Sequence, residues 1–278
     1  MKRSLSRVAF LALAALAAAC SGHKAPQAPK PPIAATPAAT PVPSTPQVVA
    51  SPETPRSPRP AAGMLGDGVK WLRTAAEYRA LAISTYRAAT EAVNAAAKAK
   101  GSDNWAVVLD VDETVLDNSV FQRDLSNGTA PFSEELWATF VHQRSAVPVP
   151  GAKAFLDRVK ELGGRIVLVT NRFENLCDDT RENLRGFSIP FDAVLCRATA
   201  GTNTGDKNPR FEAAATGAAL GDRKAREVVA FVGDNILDFP ALKQSLRDEP
   251  ESAYEAFGRR YFILPNPMYG SWQQLKAR

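Results

Sequence analysis

The sequence predicts an α/β protein: a doubly wound parallel sheet flanked by helices. Two apolar runs without polar interruption, residues 105–109 and 228–232, have the composition of strands that are covered on both faces. Segments with helical composition alternate with these runs and with three weaker strand signals, which is typical of βαβ units. Polar residues directly follow several of the strands, and open parallel sheets bind ligands at the strands' carboxyl ends. We therefore expect one sheet with a functional site along that edge.

The remaining elements follow the chain from residue 63. Residues 65–100 are rich in Ala, Leu, Glu, Lys and Arg and predict one long helix or two. Residues 118–148 form an excursion in which Ser133 opens a helix that ends near Arg144. Further helices are predicted near 152–162, 174–184, 212–220 and 238–246, and further strands near 165–169, 192–195 and 260–264. We expect cap contributions to the site from about 63–100 and 118–148.

The first 62 residues predict export rather than a folded domain. Residues 1–19 combine an early cluster of cations with an apolar run that ends in small residues, as a signal peptide does. Cys20 follows those small residues, which favours lipidation of its thiol, although Leu16 stands one place early for a standard lipobox. The alternative is plain cleavage after Ala19 and a soluble periplasmic protein. Residues 20–62 are rich in Pro, Ala and Thr and predict an extended linker that lifts the domain off a membrane.

Charge and rare residues exclude several function classes. Removal of residues 1–19 takes away three of the five net positive charges, so we expect no nucleic-acid polymer as a partner. The only histidines are His23 and His142, which excludes a histidine-nucleophile phosphatase and a His-rich zinc site. Cys177 and Cys196 remain as either a disulfide or two buried thiols, since spacing alone does not decide.

Two acidic pairs carry the functional signal. Asp110 and Asp112 end the first strand, two residues apart, so they point the same way if the extended backbone continues. Alone, this pair could simply open a turn. Asp234 and Asp238 follow another buried strand, however, and four carboxylates in one crevice require a cation.

The motifs resemble the haloacid-dehalogenase-like superfamily, specifically its secreted class C, lipoprotein e(P4)-like acid phosphatases with two Asp pairs. The resemblance covers about residues 65–278. It is carried in order by V-L-D-V-D-E-T-V-L-D-N-S (108–119), V-P-G-A (149–152), V-T-N-R (169–172), V-G-D-N-I-L-D-F (232–239) and L-P-N-P-M-Y-G-S-W (264–272).

The resemblance implies a role for each acid. Asp110 is expected to attack phosphorus and form an aspartyl-phosphate, and Asp112 to protonate the leaving alcohol and then deprotonate water. Mg²⁺ is expected on Asp110, Asp234 and the backbone carbonyl of Asp112, with Asp238 as a ligand or an outer support. Since Asp112 must carry a proton while Asp110 is ionised, we expect activity to be highest on the acid side.

The resemblance also implies how the substrate is held. Thr170 and Lys207 are expected to contact the transferring phosphoryl group, with Asn171, Arg172 and Arg210 as further substrate contacts. The implied substrates are 5′-nucleotides or related small phosphomonoesters, with a broad phosphomonoesterase as the alternative. The candidates for stacking on the base are Trp71, Tyr78, Phe121 and Tyr269.

Three further matters stay open from the sequence. A non-catalytic surface binding or storage relative with the same fold would have lost catalytic residues, and here the expected set is complete. A phosphotransferase would differ only in the acceptor of the second step. Members of the group often form dimers, but the sequence shows no exposed apolar stripe that argues for one independently. Ser21 after Cys20 is compatible with a lipid anchor in the outer membrane of a bacterial cell envelope, facing the periplasm or the surface.

Overall fold

The computed structural model describes residues 65–128, 131–201 and 204–276. The predicted signal peptide, Cys20 and the linker lie outside the described residues. The helices are α1 (Asp67–Thr74), α2 (Ala76–Lys100), α3 (Ser119–Asn127), α4 (Glu134–His142), α5 (Ala152–Glu161), α6 (Cys177–Gly186) and α7 (Asn208–Thr216). The strands are β1 (Trp105–Leu109), β2 (Leu116–Asp117), β3 (Val147–Pro148), β4 (Arg165–Phe173), β5 (Ala193–Arg197), β6 (Glu227–Gly233) and β7 (Tyr261–Ile263).

Five of these strands form one parallel sheet in the order β5-β4-β1-β6-β7, with β1 at its centre. The chain leaves β1 towards β4 on one side and later returns to β6 on the other. This reversal of direction at β1 opens a crevice at the carboxyl ends. The short β2 and β3 pair antiparallel beside it, at the base of the excursion that contains α3 and α4. The predicted doubly wound architecture is confirmed.

Helices cover both faces of the sheet. On one face, alternate β1 residues such as Trp105, Val107 and Leu109 pack in a core with buried residues of α2, α5 and α6. On the other, Val108 packs with Phe211 of α7 in a second core. All five β1 side chains are buried, which explains why this strand reads as a continuous apolar run rather than an alternating one.

Several predicted bounds need correction. Strand β4 does not end at 169 but continues to Phe173, so the polar residues 170–172 belong to the strand. No α-helix spans 238–246 among the described residues; the segment forms 3₁₀ turns, Ile236–Asp238 and Gln244–Asp248. Pro240 disfavours a helical backbone at the residue before it, and Phe239 is extended (φ −117°, ψ 139°). The Asp238 carboxylate is bound to the backbone N–H of Asn235.

The N-terminal helices belong to the body of the fold. Helix α2 buries Ala82, Tyr86, Ala89 and Val93 in the main core. Arg73 of α1 donates to the hydroxyl of Ser119, 2.9 Å away. No helix of the described residues has the length and apolarity that a membrane crossing requires.

Candidate active site

The first acid of the site is fixed by the sheet itself. The backbone N–H of Asp110 donates to the carbonyl of Val232 at 3.0 Å, so the pairing of β1 with β6 continues to this residue. Its side chain is buried at the carboxyl edge of the sheet. The nucleophile candidate therefore projects from the central strand and not from a loose loop.

The second acidic pair is brought back to the sheet by a tight turn. Asp238 lies in the 3₁₀ turn after β6 and accepts the N–H of Asn235 at 2.9 Å. Asn235 in turn caps the N–H of Leu237 at 3.1 Å. A side chain at position 233 would bring its Cβ within 2.3 Å of the Asp238 Cβ, so only glycine allows this return.

Three of the carboxylates converge. Oxygens of Asp110, Asp234 and Asp238 lie within 4.8 Å of one another. The buried ammonium of Lys207 contacts Asp110 and lies 2.6 Å from Asp238. One ammonium beside three carboxylates leaves two negative charges uncompensated. Hard oxygen donors with that charge deficit fit a divalent cation such as Mg²⁺.

The electrostatics of the cluster point the same way. Burial, together with the charges of Asp238 and Asp112, raises the pKa of Asp110 to about 7, although Lys207 opposes the rise. Burial, together with the charges of Asp238 and Asp110, raises the pKa of Asp234 well above its ordinary value. Burial disfavours the charged form of Lys207, but Asp110 and Asp238 raise its pKa nonetheless. Raised carboxyl pKa values of this kind mean that the cluster favours added positive charge, from protons or from a cation.

Asp112 lies outside this carboxylate group and has a separate set of partners. Its Oδ1 accepts from Arg172 and Asn118, and its Oδ2 accepts from the hydroxyl of Thr170 at 3.1 Å. The Thr170 hydroxyl also accepts the N–H of Arg172 and is fully buried. Thr170 therefore orients Asp112 here, and its expected contact with a phosphate oxygen stays a prediction.

A cavity of about 310 Å³ opens onto these groups. Four of the acids and Lys207 line it together with two predicted substrate contacts, Asn171 and Arg172. One wall of the cavity is aromatic. Phe132 and Trp137 come from the excursion between β1 and α5, and Tyr269 comes from the loop after β7. The predicted cap contribution from 118–148 thus lines the cavity, whereas no described residue of 65–100 does.

Three of the four predicted stacking residues lie away from the cavity. Tyr78 is 4% exposed, and its ring packs edge-on against Trp71, with the ring centres 5.9 Å apart. Neither lines the cavity, because α1 and α2 use these rings to pack against each other. Phe121 is also buried and supports Trp137 from behind at 5.1 Å. Of the four candidates, only Tyr269 lines the cavity.

Arg210 acts on the site indirectly. Its guanidinium donates to the carbonyl of Thr170, to the side chain of Asn171 at 2.6 Å and to the carbonyl of Asp206 at 3.3 Å. It therefore ties the end of β4 to the loop that carries Lys207, and it does not line the cavity. Arg210 thus connects two catalytic candidates, and its predicted contact with the substrate stays a prediction.

Sequence reasoning missed several supporting residues. Glu113 is fully buried and accepts the N–H of Asn118 at 2.8 Å, which holds the turn after Asp112 closed. Asn266 donates to Asp234 at 2.8 Å from the loop after β7. Its position after a strand's carboxyl end was a usable signal. No sequence signal indicated that Phe132 lines the cavity, because an exposed aromatic residue in a loop belongs to no recognisable pattern.

Comparisons with known proteins agree with this site. Residues 51–272 match the family described as "HAD superfamily, subfamily IIIB (Acid phosphatase)". The class C acid phosphatase from Bacillus anthracis is 30% identical over 74% of this chain and 84% of its own, with a TM-score of 0.63. A second structure of that enzyme, with tungstate bound, gives the same identity and coverage and a TM-score of 0.62.

The parallel sheet and its acidic carboxyl edge therefore define a phosphomonoester hydrolase of the haloacid dehalogenase superfamily. Within it, the chain belongs to the subfamily IIIB acid phosphatases, the class C group. Enzymes of this superfamily depend on a metal ion, and the three converging carboxylates are the part of the chain suited to hold one.

Proposed function

We propose that this acid phosphatase is Mg²⁺-dependent and works through an aspartyl-phosphate on Asp110, with 5′-nucleotides or related small phosphomonoesters as substrates. The observation that carries the proposal is the buried group of Asp110, Asp234 and Asp238 around the ammonium of Lys207. Asp110, Asp234, Asp238 and the backbone carbonyl of Asp112 would hold the ion. When bound, it neutralises charge on the phosphoryl oxygens and on the carboxylates.

The first chemical step uses Asp110 and Asp112. A carboxylate oxygen of Asp110 forms a bond to phosphorus while the bond from phosphorus to the alcohol oxygen breaks. The electron pair of that bond leaves with the alcohol oxygen, which takes a proton from Asp112. Lys207 stabilises the negative charge around the transferring group and holds Asp110 in place.

The second step returns the enzyme to its starting state. Asp112, now ionised, takes a proton from water, and the water oxygen attacks phosphorus. The bond between phosphorus and Asp110 breaks, the electron pair returns to the carboxylate, and inorganic phosphate leaves. An alcohol in place of water would make the protein a phosphotransferase, which product analysis with added alcohol distinguishes.

The aromatic wall supports the choice of substrate. Phe132 is 52% exposed and Trp137 and Tyr269 face the same cavity, so an apolar planar group can stack there once phosphate sits by the acids. The cavity of about 310 Å³ suits a mononucleotide-sized ligand and not a polymer. A broad phosphomonoesterase would use the same wall with little selectivity.

A substrate panel tests the proposal. Nucleoside 5′-monophosphates, nicotinamide mononucleotide and a small alkyl phosphate are compared after chelation and after readdition of Mg²⁺ or Ca²⁺. We expect Mg²⁺ to restore activity, nucleotides to give the highest kcat/KM, and tungstate, an oxyanion like phosphate, to compete. Asp110→Asn should remove turnover. Full activity in Asp110→Asn would contradict an aspartyl-phosphate on Asp110. Binding without turnover in the wild type would support the non-catalytic alternative instead.

We also propose that the protein is anchored by a lipid on Cys20 to the outer membrane of a bacterial cell envelope. Support comes from the sequence alone: the apolar run, the small residues before Cys20 and the Pro-rich linker. Cys20→Ser should move the protein from the membrane to the soluble periplasmic fraction. Unchanged fractionation would favour plain cleavage after Ala19.

A further inference from the structure

The carboxylate of Asp112 is held asymmetrically. Its Oδ1 accepts two hydrogen bonds, from Nε of Arg172 at 2.9 Å and from Nδ2 of Asn118 at 2.8 Å, and it also forms an ion pair with Nη2 of Arg172 at 2.8 Å. Its Oδ2 accepts one hydrogen bond, from the hydroxyl of Thr170. Because three nitrogens crowd Oδ1, Oδ2 is the oxygen of this carboxyl group that is left to meet a substrate.

Arg172 is itself fixed on every side. Its side chain is 1% exposed, although its edge lines the cavity. Nη2 also donates to Oδ1 of Asn118 at 3.0 Å, and Nη1 donates to the hydroxyl of Thr180 at 3.2 Å. The guanidinium is therefore held at all three of its nitrogens, which fixes its orientation beside Asp112.

The same guanidinium packs on the aromatic wall. Its central carbon lies 5.2 Å from the centre of the Trp137 ring, within the range of a cation–π contact. Trp137 is also a lining residue of the cavity. One side chain therefore touches both the group that delivers the proton and the surface on which the leaving group would lie.

We propose that Arg172 is a positioning residue: it presents Oδ2 of Asp112 to the oxygen of the leaving alcohol and couples that orientation to the aromatic wall through Trp137. The inference rests on the proposed function, in which Asp112 is the proton donor. It replaces the sequence-based expectation that Arg172 binds the substrate directly.

Leaving-group dependence tests this role. In 4-nitrophenyl phosphate the leaving phenolate is stable without a proton, whereas in benzyl phosphate the leaving alkoxide requires one, and both carry one aromatic ring. We expect Arg172→Met to lower kcat/KM for benzyl phosphate by about a hundredfold, the lower range for general acid catalysis, and kcat/KM for 4-nitrophenyl phosphate only a few-fold. The ratio of the two kcat/KM values is the readout, because kcat/KM reports the first step, whereas kcat also contains the hydrolysis of the aspartyl-phosphate, which is the same for both esters.

Two further variants keep the test decisive. Arg172→Lys retains a cation but not the planar fork, and it should change the ratio in the same direction by about tenfold. It decides the question if Arg172→Met does not fold. Arg185→Met, on the exposed surface of α6, is the control and should leave the ratio unchanged.

Two outcomes would overturn the proposal: an equal loss of kcat/KM for both esters, which would return Arg172 to substrate binding, or an unchanged kcat/KM for both. Failure of the proposed function looks different. In that case Asp112→Asn would leave the ratio of the two kcat/KM values as it is in the wild type.

Discussion

Glu113 is the most deeply buried acid next to the active site. It adopts a left-handed backbone conformation (φ 56°), and its carboxyl group accepts the N–H of Asn118. Burial first, and the charges of Asp112 and Asp234 second, raise its pKa well above the ordinary value. The group therefore favours its neutral form, in which it serves as a hydrogen-bond acceptor that closes the turn after Asp112.

Replacement of Glu113 tests this reading. Glu113→Gln keeps the shape and the acceptor without the charge, so we expect the free energy of unfolding at pH 7 to be at least that of the wild type. Glu113→Ala leaves a cavity and an unpaired N–H and should cost about 3 kcal/mol. Urea unfolding of both variants gives the comparison. An equal loss in the two would show that the negative charge itself is needed.

At the scale of elements, a disulfide fastens α6 to the sheet. Cys177 begins α6 and Cys196 lies on β5, and the structure joins them across a separation of 19 residues. Helix α6 also carries Thr180, which reaches Arg172, and Asp179, which binds His142 and Arg144 at the end of α4. The bridge thus stabilises a helix that contacts both Arg172, the neighbour of Asp112, and the end of α4, which carries Trp137 of the aromatic wall.

Loss of the disulfide should lower the unfolding free energy of the protein. Closing a loop of this size contributes about 3 kcal/mol, so Cys177→Ser with Cys196→Ser should lower the unfolding free energy by about that amount. Thermal unfolding under oxidising conditions measures it, and reduction of the wild type should give the same shift. A reductant that leaves the wild-type Tm unchanged would contradict the bridge.

The strands that position the site were predictable because their side chains are buried on both faces. Five apolar residues in β1, followed by Asp110, need no tertiary information to be recognised. The continuation of β4 to Phe173 was not predictable. Its polar residues 170–172 are stabilised in the strand by hydrogen bonds from distant segments, such as that from Arg210 to Asn171. A local pattern cannot report a partner that lies about forty residues away.

The acids of the site were predicted together, and the structure brings Asp110, Asp234 and Asp238 into one group with Lys207. The stacking residues were not predicted correctly as a set. In the sequence, Trp71 and Tyr78 look as suitable for stacking as Tyr269, and only the packing of α1 on α2 shows that their rings lie away from the cavity. The false helix near 238–246 has a similar cause. Its helical composition was outweighed by Pro240 and by the turn that returns Asp238 to the sheet.

At the scale of the whole molecule, the uncompensated carboxylates set how stability depends on pH and cation. Asp110 has a folded pKa of about 7, above its ordinary value, and that of Asp234 is also raised. Between the ordinary carboxyl range and pH 7 the folded chain binds more protons than the unfolded chain, so stability without a cation falls as pH rises through that window. A bound divalent cation removes the repulsion that causes this loss.

The cation should therefore stabilise the protein more at pH 8 than at pH 5, where it must displace protons. We expect the Tm difference between Mg²⁺ and chelator to be clearly larger at the higher pH, as differential scanning fluorimetry measures. Asp234→Asn should shrink the difference at pH 8. A pH-independent difference would mean that the ion binds away from this group.

The central claim is that Asp110, beside a cation held by distant acidic segments, attacks phosphorus. The most direct measurement is rapid acid quenching during turnover, followed by mass spectrometry of the peptide that contains residues 105–118. We predict one added phosphoryl group on Asp110 when Mg²⁺ is present, and none in Asp110→Asn. Steady hydrolysis with no phosphoryl group on any residue, or with one on a different residue, would contradict the account.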